Sequence, residues 1–363
     1  MPRSFSDFQA FILVGPGHAL APVADPHLSP KWSLQVGNIP MMAHLLNWLA
    51  DSQITNLFVL CPARYQASLS GMIEQRCQPN LRLDLIPCEN EDSEGFGTIA
   101  KLHQIKPYVR GNFMLLPCDL LTDAHLGKMA DLHRSGEALV TCMLAPSSKE
   151  ESERIVVGLD TPRIVVLEEN TGTLSVPGGL LFRHPKIVLR TDLRDAHCYM
   201  FRQDIFDYLE PGMYSVREEL IPALVKAGNQ RVHAYVLDET QRCLRVNTFA
   251  NLMKANQLQL PPKKDTAVLA APDVQIADKT STCKRSILGT GVKIGKSCKI
   301  ANCVLMSGTH VEDGCKLEGV TTGPNVSIQR ECKLRDCRIG PGYSMPSGTE
   351  AQGEFFSVHD EIP

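Results

Sequence analysis

The C-terminal part of the chain repeats a mostly aliphatic residue at every sixth position, and this period restricts the fold more than any other feature. The repeated residues are Ile276, Thr282, Leu288, Ile294, Ile300 and Met306. The phase then slips by one residue to Val311 and Leu317, and it is recovered at Ile328 and Leu334. Such a period is typical of a β-helix, in which three short faces form one triangular coil around a narrow core. The sequence therefore predicts a β-helix of hexapeptide repeats, with Ile294 and Ile300 pointing inward.

Cysteines occur throughout the chain, and five of them fall among the predicted turns of the β-helix: Cys298, Cys303, Cys315, Cys332 and Cys337. Because a free cysteine behaves as a small buried hydrophobe, we expect these five to fill the core. The chain has 13 cysteines in total, an odd number with no C-x-x-C pair and no export signal before them. This usage predicts reduced thiols in the cytosol and argues against a zinc site.

Length and composition indicate a globular protein of two domains. The chain has 363 residues, of which 43% are hydrophobic and 21% charged, values typical of a folded protein with a sizeable core. A net charge of -3 gives no sign of a surface for nucleic acid or of a basic membrane tether. No apolar run approaches the roughly 18 residues of a membrane span.

The first 260 residues alternate apolar strands with helices, and this alternation predicts a mostly parallel sheet covered by helices. From residue 137 to 189 the pattern changes to short strands with little helix, and Ile187–Leu189 and Ala196–Phe201 are expected to be separate strands. Residues 261–266 have the composition of a linker. We therefore expect an α/β domain at 1–260, the β-helix at 267–345 and a polar tail at 346–363.

The first predicted strand runs directly into a glycine turn. Residues Phe8 to Val14 are apolar, Gly15-Pro16-Gly17 follows, and a proline-rich loop leads to Lys31. Glycine lets the backbone approach an anion closely, so a turn of this kind at the end of a parallel strand predicts a nucleotide pocket. Neither a G-x-G-x-x-G turn nor a Walker A loop fits, because the prolines prevent a helix from starting early.

This opening stretch resembles the signature of the sugar-phosphate nucleotidyltransferases, roughly G-x-G-x-R-L-x-P followed by P-K-P-L-L-P-V-x-x-K-P-M. The matching residues are Gly15, Gly17, Pro22, Pro30, Lys31, Val36, Pro40 and Met41. Ala19 stands where that family has an arginine that grips phosphate, and Ile39 stands where it has a second lysine. The resemblance implies a Rossmann-like nucleotidyltransferase domain in which part of the catalytic signature is missing.

The same resemblance implies roles for residues further along the chain. Asp119 takes the place of the family's first metal aspartate, although the cap of a helix or a place in a turn is an alternative role for it. The Gly97-Thr98 turn takes the place of the base-recognising G-T-A, and the plain start of a helix is the alternative. The vestigial nucleotide pocket is thus predicted at Gly15, Gly17, Lys31, Gly97, Thr98 and Asp119.

Three further departures affect charges that the family's reaction requires. Arg245 replaces the second metal carboxylate, and Glu169 replaces the lysine that holds the sugar phosphate. The E-K pair of S-x-E-K-E-x-x-P is reversed in charge as Arg217-Glu218. A guanidinium repels magnesium, and each change removes stabilisation from the transition state. The sequence therefore predicts no catalytic residue, no metal site and no bound cofactor.

Four strings resemble the gamma-subunit family of the eukaryotic factor that exchanges guanine nucleotide on translation initiation factor 2. They are D-L-R-D-A-H-C-Y-M-F from Asp192, Y-S-V-R-E-E-L-I-P-A-L-V from Tyr214, S-T-C-K-R-S-I-L-G from Ser281 and L-R-D-C-R-I-G-P-G from Leu334. This resemblance implies that the β-helix is left-handed and that the chain is a non-catalytic, cytosolic scaffold or regulatory subunit. It also implies partners, namely an epsilon-type subunit, other subunits of the complex and the initiation factor, with neither nucleic acid nor membrane.

Two alternatives use the same architecture. One is an active sugar-nucleotide pyrophosphorylase, and the other is an inactive regulatory subunit of GDP-mannose pyrophosphorylase. Arg245 and Glu169 weigh against the first of these alternatives. The strings around Ala196 and Leu334 weigh against the second. The chain also stops soon after its repeats, so we expect it to lack the helical exchange domain of the epsilon type.

Overall fold

The computed structural model describes residues 5, 7–77, 82–88, 97–147, 154–169, 184, 186–229, 231–261 and 266–358. Contacts between Cα atoms divide the chain into two compact units. Unit 1 is Met1–Gly15 with Leu45–Leu244, and unit 2 is Pro16–His44 with Arg245–Pro363. None of the helices in the described ranges is long and apolar enough to cross a membrane.

Helices and the strands before the coils follow the predicted alternation. The α-helices are α1 Met41–Asp51, α2 Gln66–Arg76, α3 Thr98–Ile105, α4 Leu126–Ser135, α5 Ile221–Lys226 and α6 Phe249–Gln257. The strands are β1 Phe8–Leu13, β2 Gln35–Val36, β3 Ile39–Pro40, β4 Asn56–Pro62, β5 Arg82–Cys88, β6 Asn112–Pro117, β7 Leu120–Thr122, β8 Val140–Pro146, β9 Arg154–Asp160, β10 Arg163–Glu169, β11 Val188–Phe201, β12 Val232–Val236 and β13 Cys243–Arg245. Of the predicted caps, Thr248 begins α6, because its hydroxyl accepts from the Asn251 N–H at 3.2 Å.

Unit 1 contains a nine-stranded sheet in the order β5-β4-β1-β6-β11-β8-β12-β10-β9. Strands β5, β4, β1 and β6 are parallel, as predicted. From β11 onward most pairs are antiparallel, and β9 also pairs with β11, so this half of the sheet closes into a ring. The carboxyl ends of β1 and β6 therefore lie side by side in the parallel half.

Strand β11 is one strand of 14 residues, where the sequence predicted two separate ones. The charged residues Arg190, Asp192 and Arg194 interrupt the apolar pattern between the two predicted strands. They lie on a strand that pairs with β9 along its first half and with β8 along its second. The register shifts between Asp195 and Tyr199, where His197 has a φ of 54°, so a bulge lies at this point.

The core of unit 1 is rich in aromatic side chains, most of them on neighbouring strands of the sheet. Phe11 stacks on Phe58 with a centroid distance of 4.8 Å, and Phe113 stacks on Phe206 at 5.7 Å. Each such pair adds about 0.5–1.5 kcal/mol to the area that it buries. These pairs stabilise the parallel half of the sheet, and the ends of its strands form the candidate site.

His133 on α4 is 1% exposed, and burial, together with the positive charges of His233, Arg202 and Arg134, lowers its pKa to about 4. Its Nδ1 lies 2.9 Å from the Thr141 hydroxyl. Between pH 6.5 and 4 this histidine is therefore protonated in the unfolded chain but neutral in the folded chain. The folded state is fully stabilised above pH 6.5 and loses stability as the pH falls towards 4. We expect unit 1 to lose about 2 kcal/mol between pH 7.5 and 5 through this residue alone.

Urea unfolding of the His133→Gln variant at both pH values tests this expectation. On acidification the free energy of unfolding of the variant should fall by about 2 kcal/mol less than that of the unmodified chain. His125→Gln is the matched control, because His125 is exposed at the start of the same helix. An identical pH dependence for all three proteins would contradict the assignment.

Unit 2 contains the predicted β-helix, built from three parallel sheets. The first sheet consists of β14 Val268–Ala270, β17 Ser286–Leu288, β20 Val304–Leu305, β23 Thr321–Thr322, β26 Arg338–Ile339 and β29 Phe355–Phe356. The second consists of β15 Gln275–Ile276, β18 Lys293–Ile294, β21 His310–Val311, β24 Ser327–Ile328 and β27 Ser344–Met345. The third consists of β16 Thr282–Lys284, β19 Lys299–Ala301, β22 Lys316–Glu318, β25 Lys333–Arg335 and β28 Glu350–Gln352.

Coils from residue 282 onward advance by 17 residues, one fewer than three hexapeptides. Lys299 pairs with Lys316, and Lys316 pairs with Lys333. The inward residues are spaced six, five and six apart from Ile294 through Ile300 and Leu305 to Val311. The shift of phase seen in the sequence thus arises because one of the three faces of each of these coils has five residues and not six.

Three predicted inward positions differ in detail. Thr282 is exposed, because its neighbour Cys283 is the residue that pairs with Ile300 along the third sheet. Leu305, and not Met306, pairs with Leu288 along the first sheet, because the face between Ile300 and Leu305 has only five residues. Met306 is buried as well. Ile276 is 44% exposed, because it lies in the first strand of its sheet, where no coil precedes it.

The five coil cysteines are at most 1% exposed, which agrees with their predicted role in the core. The Cys298 thiol donates to the Glu312 carbonyl at 3.1 Å, and Cys315 donates in the same way to Gln329. These two thiols thus fill space in the core and also satisfy a carbonyl of the next coil.

The β-helix continues beyond residue 345, where the sequence predicted a polar tail. β28 and β29 add another pair of strands, in which Ala351 and Phe356 pack against the core. These residues follow Met345 by six and then five positions. A small residue and an aromatic one at this spacing do not match a strict aliphatic six-residue count, so the sequence analysis placed the end too early.

Unit 2 also includes the loop of residues 16–44 and helix α6, which the sequence analysis placed with the α/β domain. Asn38 Nδ2 donates to the Leu288 carbonyl at 3.0 Å, and Gln35 Nε2 donates to the Ser307 hydroxyl at 2.7 Å. The Arg338 guanidinium lies 3.8 Å from the ring centroid of Phe249 on α6. These contacts, and not the predicted boundary at residue 260, define the unit. Of the predicted linker, residues 262–265 lie outside the described residues.

Candidate functional site

Asp119 lies just beyond the carboxyl end of β6, beside the end of β1. Leu13 of β1 pairs with Pro117 of β6, and the Cys118 N–H donates to the Leu13 carbonyl at 3.0 Å. Asp119 has no exposed surface. Gly15 is on the chain that leaves β1, and a Cβ added there would meet nothing within 4 Å. The predicted position of Asp119 at a strand end is therefore correct, but its carboxylate is buried.

Lys101 is a buried cation that the sequence analysis missed. It lies on α3, is 8% exposed, and its Nζ donates to the Val14 carbonyl at 3.4 Å, next to the end of β1. The signal was present in the sequence, because Lys101 interrupts the apolar stripe of α3 three residues after Thr98. A lysine one turn after a Gly-Thr turn projects towards the same strand ends as that turn.

Gly97 and Thr98 lie at the start of α3, as predicted. The segment of residues 214–216 packs against them. A Cβ on Gly97 would overlap the Tyr214 carbonyl oxygen and lie 2.7 Å from the Tyr214 ring. The Ile99 N–H donates to that carbonyl at 3.1 Å, and the Val216 N–H donates to the Thr98 hydroxyl at 2.8 Å. Glycine is required here for the close approach of Tyr214, and the first turn of α3 is bonded to residues 214–216.

Gly17 and Lys31 belong to unit 2, and the structure brings them together there. Gly17 has a φ of 81°, and a Cβ on it would lie 2.7 Å from the Cβ of Lys31. Lys31 is 8% exposed. Ala19 is exposed, and Ile39 is 39% exposed on β3. The predicted pocket residues are thus divided, with Gly15, Gly97, Thr98 and Asp119 in unit 1 and Gly17 and Lys31 in unit 2.

Strand β7 follows Asp119 directly and pairs with β13, which ends at Arg245. The Thr122 hydroxyl donates to the Arg242 carbonyl at 2.8 Å, which fixes the start of this pairing. β13 is where the family signature has its second metal carboxylate. A guanidinium at this position cannot act as a ligand of magnesium. Within the described ranges, no group of three or more His, Cys, Asp or Glu side chains is arranged to hold a metal ion.

Glu168, the neighbour of the predicted sugar-phosphate position Glu169, lines a cavity in unit 1 that is called the sugar-phosphate cavity below. Its volume is about 280 Å³, and its lining comes from β9, β10, β11 and the helical segment that begins at residue 216. The lining residues are Ile155, Leu167, Glu168, Asp195, Arg217, Glu218, Pro222 and Lys226. The structure thus brings together Leu167 and Glu168, Asp195 and the Arg217-Glu218 pair. The side chain of Glu169 lies outside the described residues.

Charges at this cavity are mixed, and carboxylates outnumber cations. Glu168, Asp195 and Glu218 are acidic, whereas Arg217 and Lys226 are basic. A sugar phosphate would need cations to offset its own negative charge. The cavity therefore gives a phosphate a poorer electrostatic environment than the family signature would.

Asp195 is held by its own strand. Its carboxylate accepts from the Tyr199 hydroxyl at 2.6 Å and from the His197 N–H at 2.7 Å, across the bulge. Burial, followed by the charge of Asp195, raises the pKa of Tyr199 well above its usual range. The hydroxyl of Tyr199 therefore stays protonated and donates to the carboxylate, so this part of the wall is fixed.

Comparison with known proteins agrees with this architecture. The nucleotidyl transferase family model matches residues 10–240, and the model of the GlmU-like C-terminal hexapeptide matches residues 274–353. These two matches confirm the predicted α/β and β-helix fold class.

Two similar proteins are named as translation initiation factor eIF2B subunit gamma. The one from Schizosaccharomyces pombe is 26% identical over 62% of this chain and 52% of its own length. The one from Dictyostelium discoideum is 19% identical over 75% of this chain and 80% of its own length. The resemblance to gamma subunits found in the sequence is therefore confirmed.

A mannose-1-phosphate guanylyltransferase from Mycobacterium tuberculosis is also similar, with 25% identity over 62% of this chain and 58% of its own length. The chain thus spans little more than half the length of the first relatives that it matches. Because the nucleotidyl transferase model covers well over half of the chain, the chain belongs to the nucleotidyl transferase family.

Proposed function

We propose that the chain is a non-catalytic scaffold and regulatory subunit of a guanine-nucleotide exchange factor. In this role it pairs with an epsilon-type catalytic subunit and helps the complex to return GDP-bound translation initiation factor 2 to its GTP form. It acts in the cytosol, binds no nucleic acid or membrane, and needs no cofactor or metal of its own. Its similarity to two gamma subunits supports this proposal.

The charge at the sugar-phosphate cavity is the observation that carries the non-catalytic part of the proposal. Of the described residues that line it, three are carboxylates and two are cations. Nucleotidyl transfer gathers negative charge at the reaction centre and needs cations and metal-binding carboxylates there. Arg245 on β13 replaces one of those carboxylates. The charges at this cavity and on β13 therefore support a role without nucleotidyl transfer.

The second candidate function is sugar-nucleotide synthesis, which the similarity to a mannose-1-phosphate guanylyltransferase favours. It also includes an inactive regulatory subunit of such an enzyme. The charge pattern counts against the active form of this candidate. An experiment on binding partners separates the inactive form from an exchange-factor subunit.

Co-expression with an epsilon-type subunit tests the proposal. We expect the chain alone to self-associate, and the pair to purify as a heterodimer with an interface above about 2,000 Å², as in obligate complexes. Release of labelled GDP from initiation factor 2 should require the epsilon-type subunit and be faster with the heterodimer than with that subunit alone. Native mass spectrometry gives the composition, and fluorescence of the labelled GDP gives the rate.

A GDP-mannose pyrophosphorylase offered as the alternative partner is the control. A complex with that enzyme, and none with the epsilon-type subunit, would favour the regulatory alternative. If the isolated chain is a stable monomer and leaves the rate of GDP release unchanged, the proposed function is wrong.

A further inference from the structure

The third sheet of the β-helix carries a column of lysines on its outer surface. Lys299, Lys316 and Lys333 are aligned on neighbouring parallel strands, and all three are exposed. Adjacent strands lie about 4.8 Å apart, so the bases of these side chains are close together. Like charges opposite one another on a sheet are destabilising. The column therefore destabilises the coil. Its presence is not explained by stability, so we look for a binding role.

Carboxylates form ion pairs with two of the cations on this face. Lys333 pairs with Glu350 at 2.6 Å, and Arg335 pairs with Glu318 at 2.7 Å. Among the residues that the structure describes, no carboxylate forms an ion pair with Lys299 or Lys316. The free positive charge is thus concentrated on the middle of the face.

The other two faces of the coil differ from this lysine face. On the first sheet, Ser286 and Thr321 are buried, and the Thr321 hydroxyl lies 3.0 Å from the sulfur of Met253 on α6. The corresponding column on the second sheet contains Lys293 followed by His310, so its positive charge is not repeated. The lysine face is both uncovered within unit 2 and unlike its neighbours in charge.

A groove of about 810 Å³ runs along the lysine face. The described residues that line it include aliphatic stems and charged ends but no aromatic side chain. Proteins that bind single-stranded nucleic acid usually stack bases on aromatic rings, so the groove lacks the surface that such a ligand needs. Carboxylates of an extended peptide need only spaced cations, and the lysine column provides them.

We propose that the lysine face binds an acidic, extended polypeptide segment of a partner protein. The segment lies along the groove with its carboxylates opposite Lys299 and Lys316. This binding offsets the repulsion within the column, which explains why the fold retains it. The inference rests on the coil alone and is independent of the proposed exchange function.

Fluorescence anisotropy of the full chain with a fluorescein-labelled polyglutamate peptide tests the inference. We expect the K299Q/K316Q variant to bind about tenfold more weakly than the unmodified chain, because two ion pairs are lost. The affinity of the unmodified chain should also fall as salt is added. K293Q is the matched control, because Lys293 is equally exposed but lies on the second sheet.

Carbodiimide cross-linking of the same peptide gives a second, independent measurement. Mass spectrometry should find the glutamates joined to Lys299 and Lys316. Cross-links confined to other lysines, equal binding by K299Q/K316Q and K293Q, or no binding by the unmodified chain would each overturn the inference. Tighter binding of a single-stranded RNA of equal charge would also overturn it in favour of a nucleic-acid surface.

Discussion

Ile294→Asp should unfold the β-helix, lowering its free energy of unfolding by about 3–5 kcal/mol. Ile294 is 2% exposed and pairs along its sheet with Ile276 on one side and Val311 on the other. An aspartate at this position would place a carboxylate among aliphatic side chains and cysteines. It must then either remain charged without a partner or take up a proton, and both outcomes destabilise the coil.

Lys293→Asp is the matched control for this substitution. Lys293 precedes Ile294 in the same two-residue strand, but its side chain is exposed. The two variants thus introduce the same residue into the same strand on opposite sides. Thermal unfolding followed by circular dichroism should give a melting temperature about 10 °C lower for Ile294→Asp and a small change for Lys293→Asp. Equal melting temperatures for the two variants would show that the inward and outward positions have been assigned wrongly.

Periodicity explains why the β-helix could be predicted from the sequence in outline but not in detail. An aliphatic residue at every sixth position identifies the coil, because each one enters the same core. The five-residue face of each coil cannot be recognised from a six-residue count, so Leu305 was overlooked in favour of Met306. The same limitation placed the end of the coil before Ala351 and Phe356.

The long strand β11 illustrates a different limit. Its first half pairs with β9, a strand distant in the sequence. The buried Arg194 donates to the Cys243 carbonyl, and other charged residues of the strand form local pairs. Arg190 binds Asp192 at 2.6 Å in this way. Such pairing is decided by tertiary structure, and a local pattern of polar residues does not reveal it.

The candidate site was predictable where it depends on chain direction and unpredictable where it depends on side-chain packing. Asp119 follows a strand, so its place at the strand end follows from the sequence. The burial of Asp119 and the cover that Tyr214 gives to Gly97 depend on distant segments. The cavity beside Arg217 is likewise formed by strings that are far apart in the sequence, although each string had been recognised.

The chain should release no pyrophosphate above background when it is given magnesium, a nucleoside triphosphate and a sugar 1-phosphate. Loss of a single oxyanion-stabilising contact costs an enzyme about 10²–10³ in rate, or several kcal/mol. Here Ala19 and Ile39 replace two of the family's cations, and Arg245 replaces one of its metal ligands. Losses of this size on several groups of one centre would leave no measurable turnover.

A coupled pyrophosphate assay with guanosine and adenosine triphosphates and several sugar 1-phosphates measures this directly. Any trace of activity needs a test of its origin, because a contaminating enzyme would give the same signal. Asp119→Asn changes the charge at the strand end with little change in shape, and Asp123→Asn is its control. Asp123 is close in sequence but lies at the surface, where it pairs with Arg242 at 3.0 Å.

Activity lost in Asp119→Asn and kept in Asp123→Asn would place a working centre at the end of β6. The chain would then be an enzyme, and the departures at Ala19, Ile39 and Arg245 would have to be compensated by other cations. The buried Lys101, whose Nζ lies 3.4 Å from the Val14 carbonyl, is one such cation.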